Sequence, residues 1–291
     1  MATAAQWIEG ARLRTLPAAV SPVLAGTGAA AAVDDAHLGR ALLALVVGLA
    51  LQVGVNYAND YSDGIRGTDA DRVGPFRLVG SAAARPSTVR AAAWASFATA
   101  AVSGLALVAW SQHWWLLAVG AASIAAAWFY TGGDRPYGYR GLGEVSVFVF
   151  FGLVAVTGTT YVQAGRITAV SVATAVAVGC LACALMLVNN LRDVHTDAAG
   201  GKRTLAVFLG EQRSRLLYLT LLAVPFVVAA GLAVLDGPWI ALALVCVPLA
   251  VATARPVARK ATGAALIPSL RMTGLTELAF AALLTVGLAL S

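Results

Sequence analysis

Residues 55–80 read VNYANDYSDGIRGTDADRVGPFRLVG, and their reading decides what kind of molecule this is. An unbroken apolar run precedes them, and then Asn56, Asn59, Asp60, Asp63, Asp69 and Asp71 follow in quick succession. The 291 residues contain only 14 acidic side chains, so the cluster is a concentration that needs a cause.

The apolar run is one of many. The chain is 59% hydrophobic and 12% charged, with mean hydropathy +0.80, whereas soluble domains carry roughly 25% charged residues. In water such a fold would expose large apolar patches. Apolar stretches lie near 16–33, 40–58, 91–110, 114–131, 145–163, 168–190, 216–235, 238–254 and 272–290. Each approaches the ~20 residues with which a helix crosses a ~30 Å hydrocarbon core. The alternating segments of a barrel are absent, so helices must satisfy the backbone. The expectation is an all-α integral membrane protein: a bundle of nine transmembrane helices with a cytoplasm-facing active-site cavity, one domain over residues 1–291. Pro225, Asp236, Pro238 and Pro248 blur the boundaries between 216 and 254.

Nine spans would place all but Arg40 and Arg166 of the 20 Lys and Arg on one side. Cytoplasmic loops carry such an excess. The N-terminus is therefore expected inside, Ser291 outside, and the protein in a bacterial plasma membrane with lipid as its partner. The net charge of +6 follows from this topology and from anionic headgroups. No stacking aromatics interleave with the basic loops, so no nucleic-acid partner is expected. Cys180, Cys183 and Cys246 fall inside apolar spans and read as small packing residues, not as a zinc or redox site.

If the helix of the second span continues past Tyr57, Asn56, Asp60 and Asp63 share one face. Carboxylates at a helix C-terminus repel one another and the helix dipole, a cost that a bound divalent cation removes. A second cluster, VNNLRDVHTDAAGGKRTLAV at 188–207, stands where the sixth span emerges on the same side. Asn189, Asp193 and Asp197 are spaced four and four. Hard oxygens without clustered His or Cys select Mg²⁺ or Ca²⁺, and the EF-hand spacing is not met. Mg²⁺ takes one or two carboxylates plus waters and phosphate oxygens. Two facing acidic ends therefore point to two or three Mg²⁺ ions bridging to a diphosphate. Gly200-Gly201-Lys202-Arg203-Thr204 lacks the Ser or Thr and the upstream strand of a P-loop, yet Lys202 and Arg203 can hold phosphate oxygens. Arg72 and Arg77 offer the same beside the first cluster.

These motifs resemble the UbiA superfamily of intramembrane prenyltransferases. The family's NDxxDxxxD is matched by Asn59, Asp60 and Asp63, but Gly67 replaces its last Asp and Asp69 follows instead. GTD, DRVGPFRLVGS at 71–81, ARLRTLPAAVSPVLAG at 11–26 and YTGGDRPYGYRGLGE at 130–144 are similar to the 1,4-dihydroxy-2-naphthoate polyprenyltransferase branch. Asp134 stands where that branch tends to place Pro, and Phe76 where it often has a basic residue. The resemblance implies Mg²⁺-dependent transfer from polyprenyl diphosphate to 1,4-dihydroxy-2-naphthoate, with loss of diphosphate and CO₂, giving demethylmenaquinol. Asp60, Asp63, Asp193 and Asp197 would be catalytic through metal; Asn56, Asn59, Asp69 and Asn189 would complete the ligand set. Arg72, Arg77, Arg135, Lys202 and Arg203 would take the diphosphate. Arg12, Arg14 and Tyr130 would bind the aromatic acid. The alternatives are another acceptor of the same superfamily, 4-hydroxybenzoate, and a membrane transporter, which would place its charges at mid-depth with broken helices there. Glu277, inside the last span, is an intramembrane acid that Arg271 could pair with.

Overall fold

The computed structural model describes residues 2–67 and 76–291, and every apolar stretch in it is helical. In chain order, α1 is Ala4–Gly10, α2 Pro17–Ala31, α3 Leu38–Arg66, α4 Pro86–Ser111 and α5 Leu116–Phe129. There follow α6 Gly143–Ala164, α7 Ala169–Arg192, α8 Val194–Ala199, α9 Leu205–Leu235, α10 Pro238–Ala258 and α11 Gly263–Ala289. Seven of these, α3, α4, α6, α7, α9, α10 and α11, are long and apolar enough to cross a bilayer. The first and fourth expected spans form the shorter helices α2 and α5, of 15 and 14 residues. The blurred region resolves around its breakers: α9 ends at Leu235, and Pro238 opens α10 as a tight 3₁₀ stretch.

Helix α7 is the most deeply buried of the long helices and packs against α2, α6, α9 and α11. Leu181, Leu187, Leu191, Tyr218, Phe280 and Leu284 fill the core between α7, α9 and α11. A second cluster, around Tyr57, Leu78, Val89 and Phe97, ties α3 to α4. Large apolar side chains such as Val102, Val227, Val234 and Leu235 stand exposed outside, as a lipid-facing surface requires.

The molecule has two poles. At one, the backbone N–H of His37 donates to Gln163 Oε1 at 2.9 Å, and Arg40 donates to the carbonyls of Val162 and Gln163 at 3.1 and 3.2 Å. The exposed Trp114 and Trp115 lie in the α4–α5 connection at that end, with Trp115 against Tyr161. The opposite pole gathers the two acidic clusters.

Phe148–Thr157, within α6, is wound as a π-helix. The α6 residues facing the internal cavity are 146, 147, 150, 151, 154, 155, 158, 159 and 162. At 100° per residue a repeat of four drifts around an α-helix; the wider π winding keeps it in line. A straight apolar stripe therefore runs along the cavity. Behind it, α6 meets α7 backbone to backbone. A Cβ added at Gly152 would fall 2.7 Å from the Cα of Gly179, so neither position has room for a side chain. Gly152→Val should lower stability by about 1–3 kcal/mol through overpacking, read as a fall in Tm in detergent. Gly231→Ala, in a helix interior where an added Cβ meets open space, should hold Tm or raise it slightly, since Ala favours the helix by about 0.5–1 kcal/mol over Gly. Equal melting of both variants would contradict this packing.

Candidate active site

Helix α3 runs unbroken to Arg66 and places Asn56, Asn59, Asp60 and Asp63 near its end. Gly67 stops it in the left-handed conformation, φ 72°. The last Asp of the family pattern is thus replaced by the residue best suited to end a helix there. Asn56 Nδ2 donates to the Ala11 carbonyl and to Thr15 Oγ1, both at 2.9 Å, and Gln52 Nε2 also reaches Thr15 Oγ1 at 2.9 Å. Thr15 in turn donates to the Arg12 carbonyl at 2.9 Å. This lattice fastens the turn carrying Arg12 and Arg14. Arg12 is left-handed there, φ 56°, a conformation that costs a non-glycine residue about 1–2 kcal/mol.

The two aspartates of this cluster do different things. Asp60 accepts from the backbone N–H groups of Leu78 and Val79 at 2.7 and 3.0 Å and lies outside the cavity wall. It anchors the chain as it returns toward α4. Asp63 lines the cavity and pairs with the buried Arg77 at 3.2 Å. Asn59 Oδ1 accepts from Thr131 Oγ1 at 2.7 Å. Asp69 and Arg72 lie outside the described residues.

The second cluster is not one continuous helical face. Helix α7 ends at Arg192, Asp193 interrupts it at φ −97°, ψ 9°, and α8 begins at Val194. Asn189 and Arg192 line the cavity. Asp193 takes a bidentate pair from its neighbour, Arg192 Nε to Oδ1 at 2.7 Å and Nη2 to Oδ2 at 2.6 Å. Asp197 lies 3.9 Å from Lys202 Nζ, and its carbonyl accepts from the Lys202 backbone N–H at 2.8 Å.

Tyr139 joins the clusters, and nothing in the sequence pattern singled it out. Its hydroxyl donates to Asp63 Oδ1. Lys202 Nζ sits 5.0 Å from its ring centroid, a cation–π contact. The Tyr139 carbonyl accepts from the Arg203 backbone N–H at 3.1 Å. Arg66, also unremarked in the sequence, donates to the carbonyls of Thr131 and Gly133 and fixes the same loop to α3. Arg135 and Arg203 are exposed and stand outside the cavity wall.

A cavity of about 1130 Å³ opens between these clusters and continues along α3, α4, α5 and α6. Arg12, Arg14, Arg77, Arg192, Lys202 and Arg271 line its polar end with Asp63, Asn59, Asn189 and Tyr130; Leu105, Leu116, Val154 and Val162 line the other. Burial raises the pKa of the Tyr137 hydroxyl, so it stays a neutral donor. Arg271 faces the cavity and is not the partner of Glu277, whose two buried carboxyl oxygens have no hydrogen-bond partner among the described residues. The cysteines are free and buried, and Cys183 Sγ donates to the Glu144 carbonyl at 3.1 Å, in keeping with a packing role.

Among the described residues no three Asp, Glu, His or Cys side chains converge into a metal cage. Asp63, Asn59 and Asn189 nonetheless present hard oxygens to one cavity. That donor set fits an ion such as Mg²⁺, which is completed by waters and substrate phosphates.

A charged mouth above an apolar shaft suits a membrane enzyme that handles a lipid diphosphate. The chain belongs to the UbiA prenyltransferase family, which matches residues 19–289, and it is a multi-pass membrane protein. It is 57% identical over 281 residues to the 1,4-dihydroxy-2-naphthoate octaprenyltransferase of Mycobacterium tuberculosis, covering 97% of this chain and 96% of that one. The Escherichia coli protein of the same name is 40% identical, with 92% and 89% covered. The fold matches an apo UbiA homologue from Aeropyrum pernix, with TM-score 0.73, 16% identity, and 92% and 97% covered. It also matches an Archaeoglobus fulgidus homologue bound to GPP and Mg²⁺, with TM-score 0.69, 14% identity, and 98% and 100% covered.

Asp60→Asn should lower Tm as well as turnover. It turns an acceptor of two buried backbone donors into a group that satisfies one, at about 1–3 kcal/mol. Asn189→Ala should leave stability within about 0.5 kcal/mol and lose turnover only. Thermal melts beside initial rates separate the two; a melt of Asp60→Asn equal to wild type would contradict the anchoring role.

Proposed function

We propose that this chain transfers a polyprenyl group from polyprenyl diphosphate to 1,4-dihydroxy-2-naphthoate, releasing diphosphate and CO₂ and giving demethylmenaquinol. The observation that carries the proposal is one cavity above an apolar shaft that is lined from both clusters, by Asn59 and Asp63 of the first and by Asn189, Arg192 and Lys202 of the second, with Asp193 and Asp197 just outside its wall. The names of its relatives supply the acceptor. The whole chain, 1–291, acts as a single unit of nine spans, with α2 and α5 crossing as short helices lengthened by their flanks. The acidic pole faces the cytoplasm of a bacterial cell, as the charge bias requires.

The prenyl tail lies along the straight stripe of α6, and its diphosphate at Lys202, Arg77, Arg192 and Arg72, with Arg203 and Arg135 at the rim. Asp63, Asn59, Asn189 and Asp193 would hold Mg²⁺, with Asn56, Asp60, Asp69 and Asp197 as the remaining oxygen donors of the two clusters, and the ion would supply neutralisation of the diphosphate charge. As the bond from the allylic carbon to the bridging oxygen breaks, its electron pair stays on oxygen. The cations of Lys202 and Arg77 stabilise that developing charge. The apolar wall excludes water, which would otherwise capture the allylic cation. Arg12 and Arg14 hold the acceptor carboxylate, where a planar guanidinium suits bidentate pairing, and Tyr130 borders the ring. The ring forms the new carbon–carbon bond, and departure of the carboxylate as CO₂ returns an electron pair to it.

Purified protein supplied with a polyprenyl diphosphate and 1,4-dihydroxy-2-naphthoate should yield a prenylated product lacking the mass of CO₂, with Mg²⁺ and not with EDTA. Prenylation of 4-hydroxybenzoate in its place, read in the same mass spectra, would overturn the acceptor. Lys202→Ala should reduce kcat/KM for the prenyl diphosphate about 10- to 100-fold, the worth of a charge-assisted hydrogen bond. The KM of the acceptor should stay near wild type, and a selective rise in it would contradict the assignment.

A further inference from the structure

Glu144 and Asn190 fall within two of the quoted motifs, 130–144 and 188–207, without a role assigned to either, yet they form a buried pair beside the cavity. Asn190 lies in the last turn of α7, is 5% exposed and lines the cavity. Its Nδ2 donates to Glu144 Oε1 at 2.9 Å. Glu144, in the first turn of α6, is also 5% exposed, and its other oxygen, Oε2, is buried without a hydrogen-bond partner among the described residues. The bond from Cys183 Sγ to the Glu144 carbonyl fixes the start of α6 against α7.

A primary amide has one accepting end and one donating end. A carboxylate can only accept, so Glu144 takes the donating end of Asn190 and turns Oδ1 away from itself. The neighbouring hydroxyls have spent their protons elsewhere: Tyr130 donates to Met186 Sδ at 3.5 Å and Tyr137 to the Ala126 carbonyl at 2.7 Å. Oδ1 is thus an acceptor at the wall that also carries Tyr130, Tyr137 and Ser146. A dihydroxy aromatic acid bound by its carboxylate must still place two hydroxyl donors.

We propose that Asn190 Oδ1 accepts a hydrogen bond from a ring hydroxyl of the aromatic acceptor, and that Glu144 is the positioning residue that holds the amide in that orientation. The proposal rests on the acceptor prenylation described above. Such a bond both orients the ring and strengthens as positive charge builds on it during attack, so it acts on kcat as well as KM.

The test exchanges the polarity of the pair without changing its shape. In Glu144→Gln either amide can meet the other by either end, so packing and a hydrogen bond survive while the orientation lock is lost. Tm should match wild type, kcat/KM for 1,4-dihydroxy-2-naphthoate should fall about tenfold, on the order of one hydrogen bond, and KM for the prenyl diphosphate should not move. In Glu144→Gln/Asn190→Asp the glutamine donates, the aspartate accepts, and a carboxylate oxygen again faces the cavity. That double variant should recover most of the lost kcat/KM. Wild-type kinetics in Glu144→Gln, or a double variant no better than the single, would overturn the proposal. Wild-type turnover of the acceptor in the same assay separates this failure from failure of the reaction itself, which would remove both.

Discussion

The contact on which the site depends is the one Tyr139 makes with two clusters that lie far apart in sequence. Its hydroxyl donates to Asp63 near the end of α3, while Lys202, which follows α8, rests over its ring and lies 3.9 Å from Asp197. One side chain thereby sets the separation of the acidic ends. The middle loop that carries it is fastened from both sides, by Arg66 on α3 and by the backbone bond to Arg203. The helices bring the clusters to one pole; this loop brings them to one cavity.

The site is also balanced electrostatically before any ligand arrives. Asp63 faces Arg77, Asp193 faces Arg192, and both pairs are buried. Taking paired charges out of water is costly, and breaking such a pair by removing one partner costs about 3–5 kcal/mol. A diphosphate with divalent cations offers both partners a new match, phosphate for the guanidinium groups and cation for the carboxylates. Buried ion pairs in the free protein can therefore be exchanged for ligand contacts without leaving a charge stranded. Asp60 stands apart from this exchange, because its two acceptor bonds bind backbone.

Much of this was legible in the sequence. The apolar runs mark the helices because a bilayer demands ~20 apolar residues and a satisfied backbone. The repeated Asn-x3-Asp pattern marks the pole because carboxylates at helix ends are unfavourable without a partner. What the sequence hid depends on contacts across long separations or on side-chain direction. Tyr139 and Asp63 are 76 residues apart. The break at Asp193, which interrupts the helix within the second cluster, has no proline or glycine to announce it. Arg192 reads as part of the positive-inside excess until its pairing with Asp193 is seen. Glu144 is hidden in the same way, since only tertiary packing places it against Asn190. The π winding of α6 leaves a lining repeat of four that neither helical nor strand periodicity anticipates.

The central claim is that both clusters grip one diphosphate. The most direct measurement is calorimetric titration of a non-hydrolysable prenyl diphosphate analogue into the detergent-solubilised protein, with and without Mg²⁺. Wild type, Asp63→Asn, Asp193→Asn and Tyr139→Phe would be compared at equal folded fraction. The account predicts Mg²⁺-dependent binding in wild type, its loss in either aspartate variant alone, and a weakened but present signal in Tyr139→Phe. Undiminished binding in Asp193→Asn, with Asp63→Asn silent, would mean that the first cluster holds the diphosphate by itself, and the account would be wrong.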